Sequence, residues 1–301
     1  MNTQIKLAII AIAIVIPLAS LAITQTNSPS NNSTNENSKL QVVASATFLY
    51  EFSQNIGKEM IDVTLLVPMG ADPHDWEPTI RDTERLQKAD MIIVNGIGYE
   101  HWLNSLELSD IAGILVDTSN GISTLDSANH DEEKHDDHAK EDGHDDEDNH
   151  NHGVLDPHIW LNPVFAQLQV KNIANALSNS DPTNKNYYQS NAAIYNQELN
   201  LLDTKIRTEL SGCKTDFITF HDAFSYFSEE YGLTQHTIIS STDSHGEVTL
   251  KTLEHIISLA RELNIKIIFA EESTSTKTSQ VIADEIGGKV LVLSPLEIVS
   301  D

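Results

Sequence analysis

Residues 182–210 read PTNKNYYQSNAAIYNQELNLLDTKIRTEL, and within that run Tyr188, Ala192, Tyr195, Leu199, Leu202, Ile206 and Leu210 recur every three or four positions. A single apolar stripe at helical spacing predicts one continuous helix, opened by Asp181-Pro182 and about 43 Å long at 1.5 Å per residue. A helix of that length is expected to join two domains rather than to sit inside one. Both flanks agree. On the N-terminal side, short Val/Ile-rich runs at 40–46, 63–67, 91–95 and 114–116 read as strands, with helical patterns at 48–56, 79–88 and 100–106 between them. On the C-terminal side, strands are expected at 216–220, 236–239, 265–270 and 289–293. Helices are expected there at 222–231, 250–263 and 277–286, two of them closed by Gly232 and Gly287. Alternation of this kind implies parallel sheets covered by helices. The fold class expected is therefore α/β: two Rossmann-like lobes with parallel sheets, 40–181 and 212–301, joined by a long rigid interdomain helix at 182–211.

The first residues direct the chain out of the cytoplasm. Lys6 precedes an apolar run of 17 residues, 7–23, and Ser20-Leu21-Ala22 is an acceptable small-x-small cleavage site, so residues 1–23 read as a signal peptide or N-terminal anchor. No cysteine follows that would take a lipid at the usual place. Residues 24–39, mostly Thr, Asn, Ser, Gln and Pro, form a flexible tether. With 18 basic against 45 acidic residues the net charge is −27, which repels nucleic acid and anionic lipid surfaces and leaves cations as cargo. The one cysteine, Cys213, can form no intramolecular disulfide and receives no role.

A five-residue phrase occurs twice: Asp72-Pro73-His74-Asp75-Trp76 and Asp156-Pro157-His158-Ile159-Trp160. Proline fixes its own φ and pushes the preceding Asp toward an extended conformation, so each phrase reads as a rigid loop that aims one imidazole. His221 stands at the end of an expected strand, just before a helix, and Glu297 lies just past the last expected strand. Ligands of open α/β sheets bind beyond the carboxyl ends of the strands, and neutral imidazole suits Zn²⁺, which prefers four tetrahedral ligands. His74, His158, His221 and Glu297 are therefore the candidate ligands. Asp72, Asp156 and Asp222 are candidates to orient imidazoles by accepting their free N–H. Trp76 and Trp160 are read as wedges for the ligand loops. Glu271 and Glu272 are read as structural, and His101, His236, His245 and His255 as ordinary surface or helix residues.

Residues 127–153 are different in kind. They hold six of the thirteen histidines, His130, His135, His138, His144, His150 and His152, eleven Asp or Glu between Asp131 and Asp148, and almost nothing apolar. Such a segment is expected to be a disordered surface loop whose interleaved imidazoles and carboxylates collect divalent metal weakly, at several interchangeable sites.

The run from Val67 to Thr79, Asn95-Gly96-Ile97-Gly98-Tyr99-Glu100-His101-Trp102-Leu103, Asp156 to Pro163, Phe220-His221-Asp222-Ala223-Phe224-Ser225-Tyr226-Phe227, and Leu293 to Glu297 together resemble the zinc/manganese family of solute-binding proteins that serve ABC importers. The resemblance covers roughly residues 40–301. It implies two α/β lobes joined by a long rigid helix, with metal held in the cleft between them. It carries the first three ligand positions onto His74, His158 and His221. Members that take manganese place a carboxylate where this chain has His221, and imidazole there favours Zn²⁺ on softness. The resemblance also implies a further loop and a terminal helix beyond Asp301, so the second lobe is expected to be shortened.

The function expected is an exported high-affinity Zn²⁺ binder that delivers zinc to the membrane permease of an ABC importer, as a monomer, with no covalent chemistry. Two alternatives remain open at this point. One is a manganese-binding importer component. The other is a zinc hydrolase, which needs an open fourth position and a general base.

Overall fold

A computed structural model describes residues 39–107, 109, 111–125, 155–239, 248–271 and 276–298. The export segment, the tether, the His-rich run with His130 through His152, His245 and Glu272 lie outside the described residues.

The chain begins with β1 (Leu40–Ala44), α1 (Thr47–Gly57), β2 (Ile61–Leu65), α2 (Ile80–Lys88), β3 (Met91–Val94) and β4 (Ile114–Asp117). All four strands are parallel, in the order β2-β1-β3-β4. After α3 (Pro163–Ser180) and α4 (Lys185–Leu210) the pattern repeats with β5 (Asp216–Thr219), α5 (Ser225–Tyr231), β6 (Thr234–Thr237), α6 (Leu250–Glu262), β7 (Ile267–Ala270), α7 (Thr276–Ile286) and β8 (Lys289–Val292). The second sheet is again parallel, in the equivalent order β6-β5-β7-β8. The two-lobed α/β architecture is the one expected. In each sheet the strand order reverses between the two central strands, and a crevice opens at such a point beyond their carboxyl ends. Those strands are β1 and β3 in one lobe, β5 and β7 in the other.

The centre of the first sheet is buried on both faces, where β3 is apolar throughout. One face meets α1, α3 and the first half of α4, with Leu49, Ile56, Ile93, Ile173 and Tyr188 fully buried among them. The other face packs Ile92 and Val94 against Leu86 and Trp102. Ala223 and Phe224, from just before α5, are buried in the first lobe's core. The lobes thus share apolar packing as well as polar contacts.

The long helix differs from expectation at its start. Residues 182–184 form a tight 3-10 turn and the α-helix proper runs from Lys185 to Leu210, 26 residues or about 39 Å. The cause is Asp181, whose carboxylate accepts from Asn184 N–H at 3.3 Å, Asn184 Nδ2 at 2.7 Å and Tyr188 O–H at 2.8 Å, drawing the chain in before the helix opens. Of the expected stripe, Tyr188 and Ala192 are buried while Leu202 is exposed. At the far end Arg207 bonds Asp203 and Glu230, and Tyr231 O–H donates to Asp203 at 3.0 Å, so α4 is tied to α5 of the second lobe. Two further expectations are corrected. Residues 101–105 form a 3-10 turn rather than an amphipathic helix, because Glu100 turns inward onto the loop that precedes it. The helix expected from 222 starts at Ser225, and just ahead of it Phe224 N–H donates to the Gln235 side chain at 3.1 Å.

Replacing Asp181 by Ala removes the side-chain acceptor that opens α4. We expect a loss of about 1–2 kcal/mol of stability in urea denaturation, with metal binding at the cleft unchanged.

Candidate metal centre

His158, His221 and Glu297 are buried and His74 nearly so, and one ligand atom from each lies within 4.8 Å of all the others. Each arrives by a different route. His74 sits in the loop after β2, and His221 lies two residues past the end of β5. His158 precedes the short turn that leads into α3, where Asn162 caps the helix and Pro163 occupies its first position. Glu297 lies past β8, behind Leu296, whose φ of 61° puts a non-glycine residue in the left-handed region. That conformation costs an L-residue about 1–2 kcal/mol.

Around this centre, carboxylates fix the rings. Asp156 Oδ1 accepts from both His158 N–H at 2.9 Å and Nδ1–H at 2.7 Å. Glu271 Oε1 does the same for His221, at 3.1 Å and 2.6 Å. With Nδ1 committed, both rings turn Nε2 toward the centre, and the two Nε2 atoms face each other at 3.4 Å. Glu297 Oε1 lies 2.9 Å from His158 Nε2 and 3.1 Å from His74 Nε2. A regular tetrahedron of ligands about 2.0 Å from a zinc ion has edges of about 3.3 Å. Three of the edges present are already close to that.

Asp72 Oδ1 accepts from His74 N–H at 2.9 Å, holding the first ligand loop by its backbone, and Asp222 accepts Ser225 Oγ–H at 2.9 Å at the head of α5. The group that takes the His221 ring is Glu271, which sequence reasoning read as structural. Its signal was position: it follows β7 directly, as His221 closely follows β5, at the point where the strand order reverses. Trp160 stacks on Phe48 with ring centroids 4.2 Å apart and donates Nε1–H to Pro295 O at 2.8 Å, so it pins the Glu297 loop to the first lobe. Trp76 packs edge-on against Trp102. His236 pairs with Asp216 and His101 with Glu77, both away from the centre. Sequence reasoning also missed a buried amide network beneath His158. Asn95 Nδ2 donates to Pro157 O at 2.9 Å, and Gln169 Nε2 donates to Asn95 Oδ1 at 3.0 Å.

Three comparisons bear on this geometry. The family described as ZnuA, "Zinc-uptake complex component A periplasmic", matches residues 42–301. The chain belongs to that family. It is 42% identical over 262 residues to the "High-affinity zinc uptake system protein ZnuA" of Bacillus subtilis (strain 168), covering 86% of this chain and 79% of that one. It is 33% identical to the "Zinc-binding protein AdcA" of Streptococcus pyogenes serotype M6, over 86% of this chain and 51% of that longer protein. Among solved structures, "Crystal structure of ZnuA" superposes with a TM-score of 0.73 at 31% identity, covering 86% of this chain and 92% of that one. The metal-dependent lipoprotein YcdH from Bacillus subtilis gives 0.71 at 37%, over 87% and 90%.

In this ZnuA-family chain the candidate ligands are coupled to one another as acids and bases. Burial opposes charge on His158, but its hydrogen bonds to Asp156 and Glu297 outweigh it and raise the imidazole to about 10. His74 is raised too, burial again being overcome by Glu297. Glu297 is pushed up by burial, yet the bonds from His158 and His74 hold it far below the usual carboxylate range. A raised imidazole stabilises the metal-free fold fully below its unfolded value near 6.5, and that contribution is lost as pH climbs toward about 10. Metal needs the deprotonated ring, so acid favours the empty centre and base the loaded one.

Two outcomes are expected. Metal binding at neutral pH releases at least one proton, seen as a buffer-dependent heat in isothermal titration, and affinity falls on going from about pH 8 to about pH 6; a pH-independent affinity would contradict the arrangement. Glu271→Ala, which removes the acceptor of the His221 ring without touching a ligand, weakens metal binding about 10–100-fold in the same titration, with the circular dichroism spectrum retained.

Proposed function

We propose that this protein is the extracytoplasmic zinc-binding component of an ABC importer, capturing Zn²⁺ as cargo and handing it to the membrane permease. The observation that carries the reading is the convergence of three imidazole nitrogens and one carboxylate oxygen, drawn from both lobes, within 4.8 Å of one another. Family membership places it among solute-binding proteins rather than enzymes, and its relatives are named for zinc uptake or zinc binding. His74, His158, His221 and Glu297 are the ligands, with Asp156 and Glu271 orienting two of the rings. Three imidazoles and a single carboxylate suit Zn²⁺; Mn²⁺ prefers a more oxygen-rich set. With Glu297 as fourth ligand no coordination position stays open for a hydrolytic water, so the site binds and releases without chemistry.

Ligands from both lobes imply that metal closes the cleft and that the permease releases it by drawing the lobes apart. Among the described residues no helix is long and apolar enough to cross a membrane. We read the apolar run at 7–23 as the export signal or anchor, and the acidic His-rich run at 127–153 as a weak collector of zinc. The net charge of −27 makes nucleic acid an unsuitable partner, and we read the protein as acting as a monomer.

Competitive titration of the purified protein with Zn²⁺ and Mn²⁺ against a chelator tests the reading. One tight zinc equivalent is expected, bound far more tightly than manganese. His221→Ala should lower zinc affinity more than about a hundredfold, because losing even a partner of a ligand costs about 10–100-fold. Manganese binding as tight as zinc in the wild type would sink the zinc assignment.

A further inference from the structure

The loop after β3 contains a device that the four ligands do not use. Gly96, Ile97 and Gly98 are consecutive left-handed residues, with φ of 86°, 57° and 78°, and for a β-branched residue such as Ile97 that conformation is an outlier. At Gly96 a side chain would run into the Asp117 carboxylate. A buried acid holds the loop in place. Glu100 Oε1 accepts Ser45 Oγ–H at 2.6 Å and Asn95 N–H at 2.7 Å, while Oε2 accepts Gly96 N–H at 3.1 Å. Tyr99 N–H closes the turn on Gly96 O at 3.1 Å. Strained backbone of this sort persists only where the surroundings enforce it, and it clusters at functional sites.

What the loop presents is Tyr99. Its ring is buried, edge-on to His74 at 5.8 Å between centroids and to Trp160 at 5.1 Å. Its hydroxyl is fully buried and has no hydrogen-bond partner among the described residues, although buried tyrosine hydroxyls are usually paired. The His74 ring that Tyr99 packs against has its Nε2 3.1 Å from Glu297 Oε1, so the first lobe brings an unspent O–H donor to the side of the ligand cluster where the second lobe's candidate carboxylate sits.

We propose that Tyr99 sets the binding mode of Glu297: with metal bound, its hydroxyl donates to the carboxylate oxygen that Glu297 does not give to the metal. The inference rests on the zinc-binding reading above. Glu297 Oε1 is shared by His74 and His158. Metal replaces those two N–H donors, and the second carboxylate oxygen could then swing onto the ion as a fifth ligand. Five or six ligands suit larger, oxygen-seeking ions such as Mn²⁺, whereas four suit Zn²⁺. An O–H bond to the second oxygen keeps the carboxylate one-oxygen and the site four-coordinate. Tyr99 is in this sense a specificity residue.

Tyr99→Phe in the full chain keeps the ring and its packing, and three readouts test the idea. The metal-free variant unfolds at the same temperature as the wild type or higher, because the hydroxyl removed has no partner. Loaded with Co²⁺ as a spectroscopic probe, the wild type shows the intense visible bands of four-coordination, and the variant shows the weaker bands of a higher coordination number. The ratio of zinc to manganese affinity falls by about tenfold, the worth of one hydrogen bond to a charged group. In a Glu297→Ala background the same substitution changes neither spectrum nor ratio. An unchanged Co²⁺ spectrum and ratio, a less stable metal-free variant, or a further change in the Glu297→Ala background would each overturn the proposal. A wild-type protein with no tight zinc equivalent would instead remove the function on which the proposal rests, and the wild-type titration distinguishes the two failures.

Discussion

Glu297 Oε1 sits between His74 Nε2 and His158 Nε2 in a cleft that largely excludes water, and much of the surrounding structure serves to make that arrangement tolerable. A buried carboxylate is costly unless it is paired, and buried imidazoles crowded together are costly unless their protons have somewhere to go. Each group answers the need of another. Glu297 is compensated by two rings, His158 is compensated a second time by Asp156, and His221 is held by Glu271. Because each of these two acids takes Nδ1, the Nε2 atoms of both rings are forced inward. The same pairing that stabilises the metal-free cleft therefore fixes the directions in which a metal can be held.

Around this centre the seam between lobes is built from short polar links rather than from the ligands alone. Trp160 Nε1–H reaches Pro295 O at 2.8 Å and Tyr226 O–H reaches Asp156 O at 2.7 Å. Leu125 N–H donates to the Tyr226 hydroxyl at 3.0 Å and Asn162 Nδ2 to Glu230 at 3.2 Å. These contacts place the backbone on both sides of His158 under the control of the second lobe. The helix α4 behaves as a strut, its first half in the core of the first lobe and its far end tied through Arg207 and Asp203 to α5. Opening the cleft must break the links at the seam while that strut limits how far the lobes can travel.

Two sheets of equivalent strand order explain why so many chemically useful residues meet. In each lobe the central strands end where the connections diverge, and the residues that follow them point into the crevice. Ser45 and Asn95 follow β1 and β3 closely; His221 and Glu271 follow β5 and β7. In the first lobe that crevice is filled by the Glu100, Ser45 and Asn95 network, which fixes loops. In the second lobe the equivalent place carries the His221–Glu271 pair, which faces the metal centre.

Much of this was legible in the sequence because local physics specified it. Alternating strands and helices required parallel sheets, prolines beside His74 and His158 required rigid loops, and the helical stripe at 188–210 required a long connector. Each of those signals lies within a few residues of the feature it specifies. Boundaries were less legible where side-chain hydrogen bonds reshape the end of an element, as those of Asp181 do before α4. Nothing local distinguishes Glu271, which needs His221, 50 residues away, to give its carboxylate a meaning. Glu100 and Tyr99 are likewise ordinary residues until the fold buries them. Sequence alone determined the architecture and which imidazoles were candidates; tertiary structure decided which carboxylate holds which ring, because burial and hydrogen-bond geometry exist only once the lobes have closed on each other.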